Sequence, residues 1–134
     1  MRILIDTNVL ISAALFPSGQ AARAYEKAMA APFEPMISQQ NISELSAVFT
    51  RKFPDKMLVL HNFLASMHAV MLVDIPNEAI APELAVRDLN DRPILRAASA
   101  AGANIILTGD RDFLESGISN PIILSPRQFM EFDR

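Results

Sequence analysis

The sequence predicts an α/β fold in which a parallel sheet is covered by helices on both faces, and three observations carry that reading. Five short apolar runs, each bounded by Pro, Gly, Asp or Asn, suit strands buried on both faces. Stretches of helical character lie between them. The alternation continues across 134 residues with no internal repeat, low-complexity tract or linker, so residues 1–134 are expected to form one domain around one core.

The first strand, 2–5, runs straight into Asp6, Thr7 and Asn8 before the apolar run resumes with Val9, Leu10 and Ile11. Ser18 or Gly19 can cap a helix through "QAARAYEKAMA", which Pro32 stops. Strand 34–37 follows, and Ser38 can cap "QQNISELSAVFTRKF", stopped by Pro54. "DKMLVLHNFLASMHAV" is the next helix and leads to strand 71–75. "NEAIAPELAV" reads as a broken helix and "RPILRAASAAGA" as a full one ending at Gly102. Strands 104–108 and 121–124 complete the sheet, and "SPRQFMEF" closes the chain.

Cysteine is absent, which excludes disulfide staples and thiolate metal sites and makes a reducing cytoplasm the expected compartment. The start does not read as a signal peptide, because Asp6 interrupts a short apolar stretch behind a single Arg2. No apolar run approaches the ~18 residues that a membrane helix needs. A formal net charge of -3 argues against wrapping nucleic acid by bulk charge, but it leaves room for an acidic site beside local basic patches.

A carboxylate in apolar surroundings costs several kcal/mol unless it is paired, hydrogen-bonded or bound to a cation. Asp6 closes the first strand and Asp110, in "IILTGDRDF", follows the fourth, so two central parallel strands would bring both to one edge of the sheet. Glu44 flanks the apolar stripe Ile42, Leu45, Val48 and Phe49 of its helix. Asp91 shares the inward direction of Ile94, Leu95 and Ala98, and Asp88 lies three residues before it. Converging carboxylates repel and their pKa values rise unless a cation compensates them. An oxygen-only set suits Mg²⁺ or Mn²⁺, which activates water and offsets phosphate charge. Thr7, Asn8 and Thr108 can donate hydrogen bonds that orient such carboxylates.

Each acid has a plainer reading. Asp6 with Asn8 can form a turn, Asp91 before Arg92-Pro93 can cap a helix, Glu44 can be solvated, and Asp110 with Asp112 can open a helix. The case rests on their joint placement. His61 and His68 lack partners at ligand spacing and read as surface or packing residues, and the seven methionines read as core filling. Arg51-Lys52 and the pair Arg92 and Arg96 are the best basic groups for a phosphate backbone.

The segments "LIDTNVLISAALFP", "ISQQNISELSAVFTRKF" and "RDLNDRPILRAASAAGANIILTGDRDF" together resemble PIN-domain proteins, and within them the VapC-type toxins of type II toxin–antitoxin systems. The resemblance implies a three-layer α/β/α sandwich with a parallel sheet and a metal-dependent endoribonuclease acting on single-stranded RNA. It implies Asp6, Glu44, Asp91 and Asp110 as the catalytic and metal-holding acids. Asp88 matches an extra acid of this branch and Asp112 the last acid of the "GDRDF" segment; with Thr7, Asn8 and Thr108 they would orient the ligands or the substrate. A metal-activated water would cut the phosphodiester, with Mg²⁺ or Mn²⁺ as cofactor. The implied partners are RNA, a second copy of the chain and a cognate antitoxin that occludes the acidic pocket. Pro93 directly after the third-acid segment, and "RDLND" in place of a more acidic run, depart from many relatives.

Two other readings use the same residues. A catalytically weak or idle PIN domain would bind RNA or protein without cutting. A haloacid-dehalogenase-like phosphohydrolase would need an acid where Asn8 stands, and no suitably placed lysine is evident.

Overall fold

The computed structural model of the chain describes residues 1–67 and 70–133. The elements run β1 (Arg2–Ile5), α1 (Thr7–Leu15), α2 (Gln20–Ala28), β2 (Glu34–Ser38), α3 (Gln39–Lys52), α4 (Met57–Ala65), β3 (Met71–Val73), α5 (Arg92–Ala101), β4 (Ile105–Leu107), α6 (Arg111–Leu114), β5 (Ile122–Leu124) and α7 (Pro126–Glu131). Short 3-10 turns stand at Pro54–Lys56 and Ala81–Ala85.

The strands form one parallel sheet in the order β3-β2-β1-β4-β5. Central β1 explains the unbroken apolar run, because Ile3, Leu4 and Ile5 are all fully buried. Alternation along the strands divides them between two cores. Ile3, Ile5, Ile37, Ile105 and Leu107 face the layer containing α1 to α4 and α7, with Phe49 and Phe129 fully buried among them. Leu4, Met36 and Ile106 face α5 and α6, where Ile94, Leu95 and Phe113 pack. The result is the expected three-layer α/β/α sandwich.

Three elements differ from the sequence expectation. Residues 7–15, read only as a resumed apolar run, form α1. Its side chains are apolar nearly all round, so no amphipathic stripe betrays it; Asp6 starts it by accepting the Thr7 N–H at 2.8 Å. The broken helix through "NEAIAPELAV" reduces to the 3-10 turn at Ala81–Ala85, where Pro82 sits in the first turn. The helix through "DKMLVLHNFLASMHAV" is helical over Met57–Ala65, with His61 exposed; His68 lies outside the described residues.

Among the described residues, no helix is long and apolar enough to cross a membrane.

Candidate functional site

Strand order determines where the site forms. The chain steps from β1 outward to β2 and β3, then returns to the opposite side of β1 with β4 and β5. Loops leaving the carboxyl ends of β1 and β4 therefore diverge, and a crevice opens between them. The N–H of Asp6 donates to the Leu107 carbonyl at 2.9 Å, which holds the two lips in register.

Asp6 is buried on one lip with three donors around it. Its Oδ1 accepts the Thr7 N–H at 2.8 Å; its Oδ2 accepts the Thr108 hydroxyl at 2.9 Å and the Asn8 side-chain amide at 3.4 Å. Burial nevertheless outweighs the Thr108 and Thr7 hydrogen bonds, and with the charges of Glu44 and Asp110 it pushes the carboxyl up to about 6. Thr108 and Asn8 also organise the other lip. The Thr108 hydroxyl accepts the Asp110 N–H at 3.1 Å, and Asn8 Oδ1 accepts the Gly109 N–H at 3.0 Å. Asp110 in turn caps α6, accepting the N–H groups of Asp112 at 2.8 Å and Phe113 at 3.4 Å through a single oxygen.

Asp91 stands at the start of α5, and its side chain makes no capping hydrogen bond. It is only 8% exposed, and its Oδ2 has no hydrogen-bond partner. The stripe inferred from helical spacing is present, since Ile94, Leu95 and Ala98 are buried beside it. Ligand oxygens of Asp88, Asp91 and Asp110 all lie within 4.8 Å of one another. Burial first, then Asp110, Asp6 and Asp88, raises Asp91 well above the usual carboxylate range. Two carboxylates facing each other without a donor are satisfied by a shared proton or a cation. The orphaned Asp91 oxygen and the all-oxygen donor set fit a hard divalent ion such as Mg²⁺ or Mn²⁺.

Glu44 approaches from α3. It is exposed, and its Oε2 accepts the Thr7 hydroxyl at a long 3.4 Å. With Asp6 and Asp91 it lines a cavity of about 380 Å³ between α3 and α5. Asp88 accepts the Asn90 N–H at 2.9 Å in a tight turn that keeps it beside Asp91. Asp112 goes elsewhere: its carboxylate pairs with Arg87 at 2.9 Å, and Arg87 also reaches Glu115 at 3.1 Å.

Sequence reasoning did not single out Asn41 or Glu83, and it did not place Arg51 in the cleft; it offered Arg96 for a phosphate backbone, whereas the structure pairs Arg96 with buried Glu83. Asn41 is buried, lines the cavity and donates to the Ile5 carbonyl at 3.5 Å; its position one turn before Glu44 was the available signal. Arg51, two turns beyond Glu44, also lines the cavity. Arg96 binds Glu83 through two nitrogens at 2.8 and 3.0 Å and the Pro76 carbonyl at 3.0 Å, which holds the segment before Asp88 against α5.

The chain is similar in fold to two toxin–antitoxin structures and one toxin structure, each from a different bacterium. One is the crystal structure of VapBC2 from Rickettsia felis bound to a DNA fragment from their promoter: TM-score 0.68, 19% identity, covering 93% of this chain and 98% of that one. Another is a toxin–antitoxin complex from Klebsiella pneumoniae, with TM-score 0.64, 24% identity and coverage of 92% and 97%. A third is Mycobacterium tuberculosis VapC20, described as a sarcin-ricin loop cleaving toxin, with TM-score 0.59, 15% identity and coverage of 87% and 95%. Compared with curated protein sequences, the chain has no significant match. The PIN domain family model matches residues 2–112, a span that holds Asp6, Glu44, Asp91 and Asp110 together, and the chain belongs to the PIN-domain family.

Proposed function

We propose that the protein is a metal-dependent endoribonuclease that cleaves single-stranded RNA, the toxin of a toxin–antitoxin pair. The observation that carries this reading is the buried, unpartnered Asp91 oxygen set against Asp88 and Asp110. A site built to be stable without a cation would place a donor there.

In this reading Asp6, Asp91 and Asp110 hold Mg²⁺ or Mn²⁺, and Glu44 completes the site from α3. When bound, such an ion lowers the pKa of water and offsets the charge of a phosphate under attack. The chain's own part is positioning. Thr108 and Asn8 keep Asp6 and the Gly109-Asp110 turn in one geometry, Thr7 steadies Glu44, and Asp88 adds negative charge beside Asp91. Asp112, paired with Arg87, braces the loop before Asp88. Water attacking opposite the 3′ oxygen forms the new P–O bond as the P–O3′ bond breaks, which leaves 5′-phosphate and 3′-hydroxyl ends.

The similar folds of toxin–antitoxin complexes support a cognate antitoxin as partner. A second copy of the chain is the other expected partner, with residues 1–134 as one domain acting in the cytoplasm.

The test is cleavage of a mixed single-stranded RNA by wild type and Asp6→Asn, with and without Mn²⁺, followed by end analysis. Metal-dependent cuts with 5′-phosphate ends that vanish in a folded Asp6→Asn protein are expected. Full cleavage by pure Asp6→Asn protein overturns the assignment of Asp6. Absence of cleavage together with absence of any Mn²⁺ shift in melting favours the idle binding module.

A further inference from the structure

A second groove adjoins Asp110 and shares no lining residue with the α3–α5 cavity. A hollow lined by Asn8 and Asp110 shares Ser12, Ala21, Gly109 and Pro126 with a larger groove of about 480 Å³. The larger groove is also lined by Phe16 and Arg127. The acids therefore border two separate hollows, Asp6, Glu44 and Asp91 the first and Asp110 the second, as a linear polymer running past them requires.

Phe16 is the C-terminal cap of α1, about 15 Å along the helix from Asp6 by helical rise. It is 64% exposed, although apolar rings are normally drawn into the core. The turn behind it is built around that placement. Gly19 N–H donates to the Phe16 carbonyl at 2.9 Å, and a Cβ at Gly19 would come within 3.1 Å of that oxygen and 3.3 Å of Phe16 Cβ. Among the described residues lining the groove, Arg127 is the one that carries charge. Its ion pair with Glu131 is long, 3.7 Å, and both side chains are largely exposed, so the guanidinium is free to turn toward an anion.

We propose that this groove carries the single-stranded RNA flank on one side of the scissile phosphate, with Phe16 as a base-stacking platform and Arg127 as a backbone-phosphate contact. The inference rests on the nuclease reading and names the substrate path for it. Continuity with Asp110 and a positive charge on the lining favour a nucleic-acid strand over an apolar peptide. Every base presents a π-face, so such a platform tolerates any sequence.

The chain contains no tryptophan, so Phe16→Trp places a single indole at the platform. Titration uses a short labelled RNA in Ca²⁺, a hard cation for the same oxygens, with strand integrity checked on a gel. Indole fluorescence is expected to quench in step with RNA anisotropy. Phe16→Ala is expected to bind about tenfold more weakly and to raise KM with little change in kcat, without a change in melting temperature. RNA bound by anisotropy with an unperturbed indole overturns the proposal while leaving the nuclease intact, and passes the groove to a protein segment. Absence of both RNA binding and Mn²⁺-dependent cleavage overturns this proposal together with the nuclease reading.

Discussion

The Thr108 hydroxyl donates to Asp6 Oδ2 at 2.9 Å across 102 residues of sequence, and the Thr108 hydroxyl oxygen itself accepts the Asp110 N–H at 3.1 Å. One side chain thus couples the first and last acids of the site. Thr108→Val removes both bonds and leaves a buried carboxylate short of a donor. A loss of about 2–3 kcal/mol in urea denaturation is expected, with Thr108→Ser restoring most of it. An unchanged midpoint would show that the hydroxyl contributes little.

Asp6 and Asp91 are both raised in the folded protein, so between the unfolded carboxylate range and the folded values the native state binds more protons. Their contribution to stability is complete below the ordinary aspartate value of 3.8 and declines as pH rises through about 6 for Asp6 and further for Asp91. In EDTA, the contribution of these two groups lowers the melting temperature between about pH 5 and about pH 8. The Mn²⁺-induced shift grows over the same range, because ligands must lose protons to bind. Thermal melts with and without Mn²⁺ across that range check both trends. A Mn²⁺ shift larger at the acid end contradicts the assignment.

Asp91→Asn separates stability from function. The amide brings a donor to the Asp110 carboxylate and removes one like charge, so the metal-free protein is expected to melt higher than wild type at about pH 8. The same variant should lose its Mn²⁺ shift and its cleavage. If instead it melts lower in EDTA, Asp91 is a structural acid.

Glu83 is the buried acid whose pKa runs the other way. The Arg96 guanidinium, then the Ile80 N–H, hold it below its usual value against the cost of burial, so its contribution is present at neutral pH and lost in acid. Arg96→Ala strands that charge and is expected to lower the melting temperature by about 5 °C or more. Replacing both partners, as in Arg96→Met with Glu83→Leu, should recover part of the loss, because no charge is then left unpaired. A double variant no better than the single one would place the stability in the Pro76 and Ile80 contacts instead.

Local pattern explains what was legible in the sequence. Apolar runs with turn residues at their ends located the strands, and spacing along the helix from Arg92 put Asp91 on the same inward line as Ile94, Leu95 and Ala98. Pattern fails where a helix has no polar face. In α1 the apolar residues of 7–15 look like a continued strand, and only packing against the sheet and neighbouring helices makes them a helix.

Residue by residue, the sequence determined the elements, the apolar layers and the stock of acids, because those depend on neighbours a few positions apart. Strand order belongs to the tertiary structure alone, and with it the crevice between β1 and β4 that brings Asp6, Asp91 and Asp110 together. Asp88 and Asp112 show the difference. Both are acids flanking a candidate ligand in the sequence, yet folding sets Asp88 against Asp91 and Asp110 and turns Asp112 onto Arg87. Which oxygens share a cavity is a matter of long-range chain path, and no local periodicity encodes it.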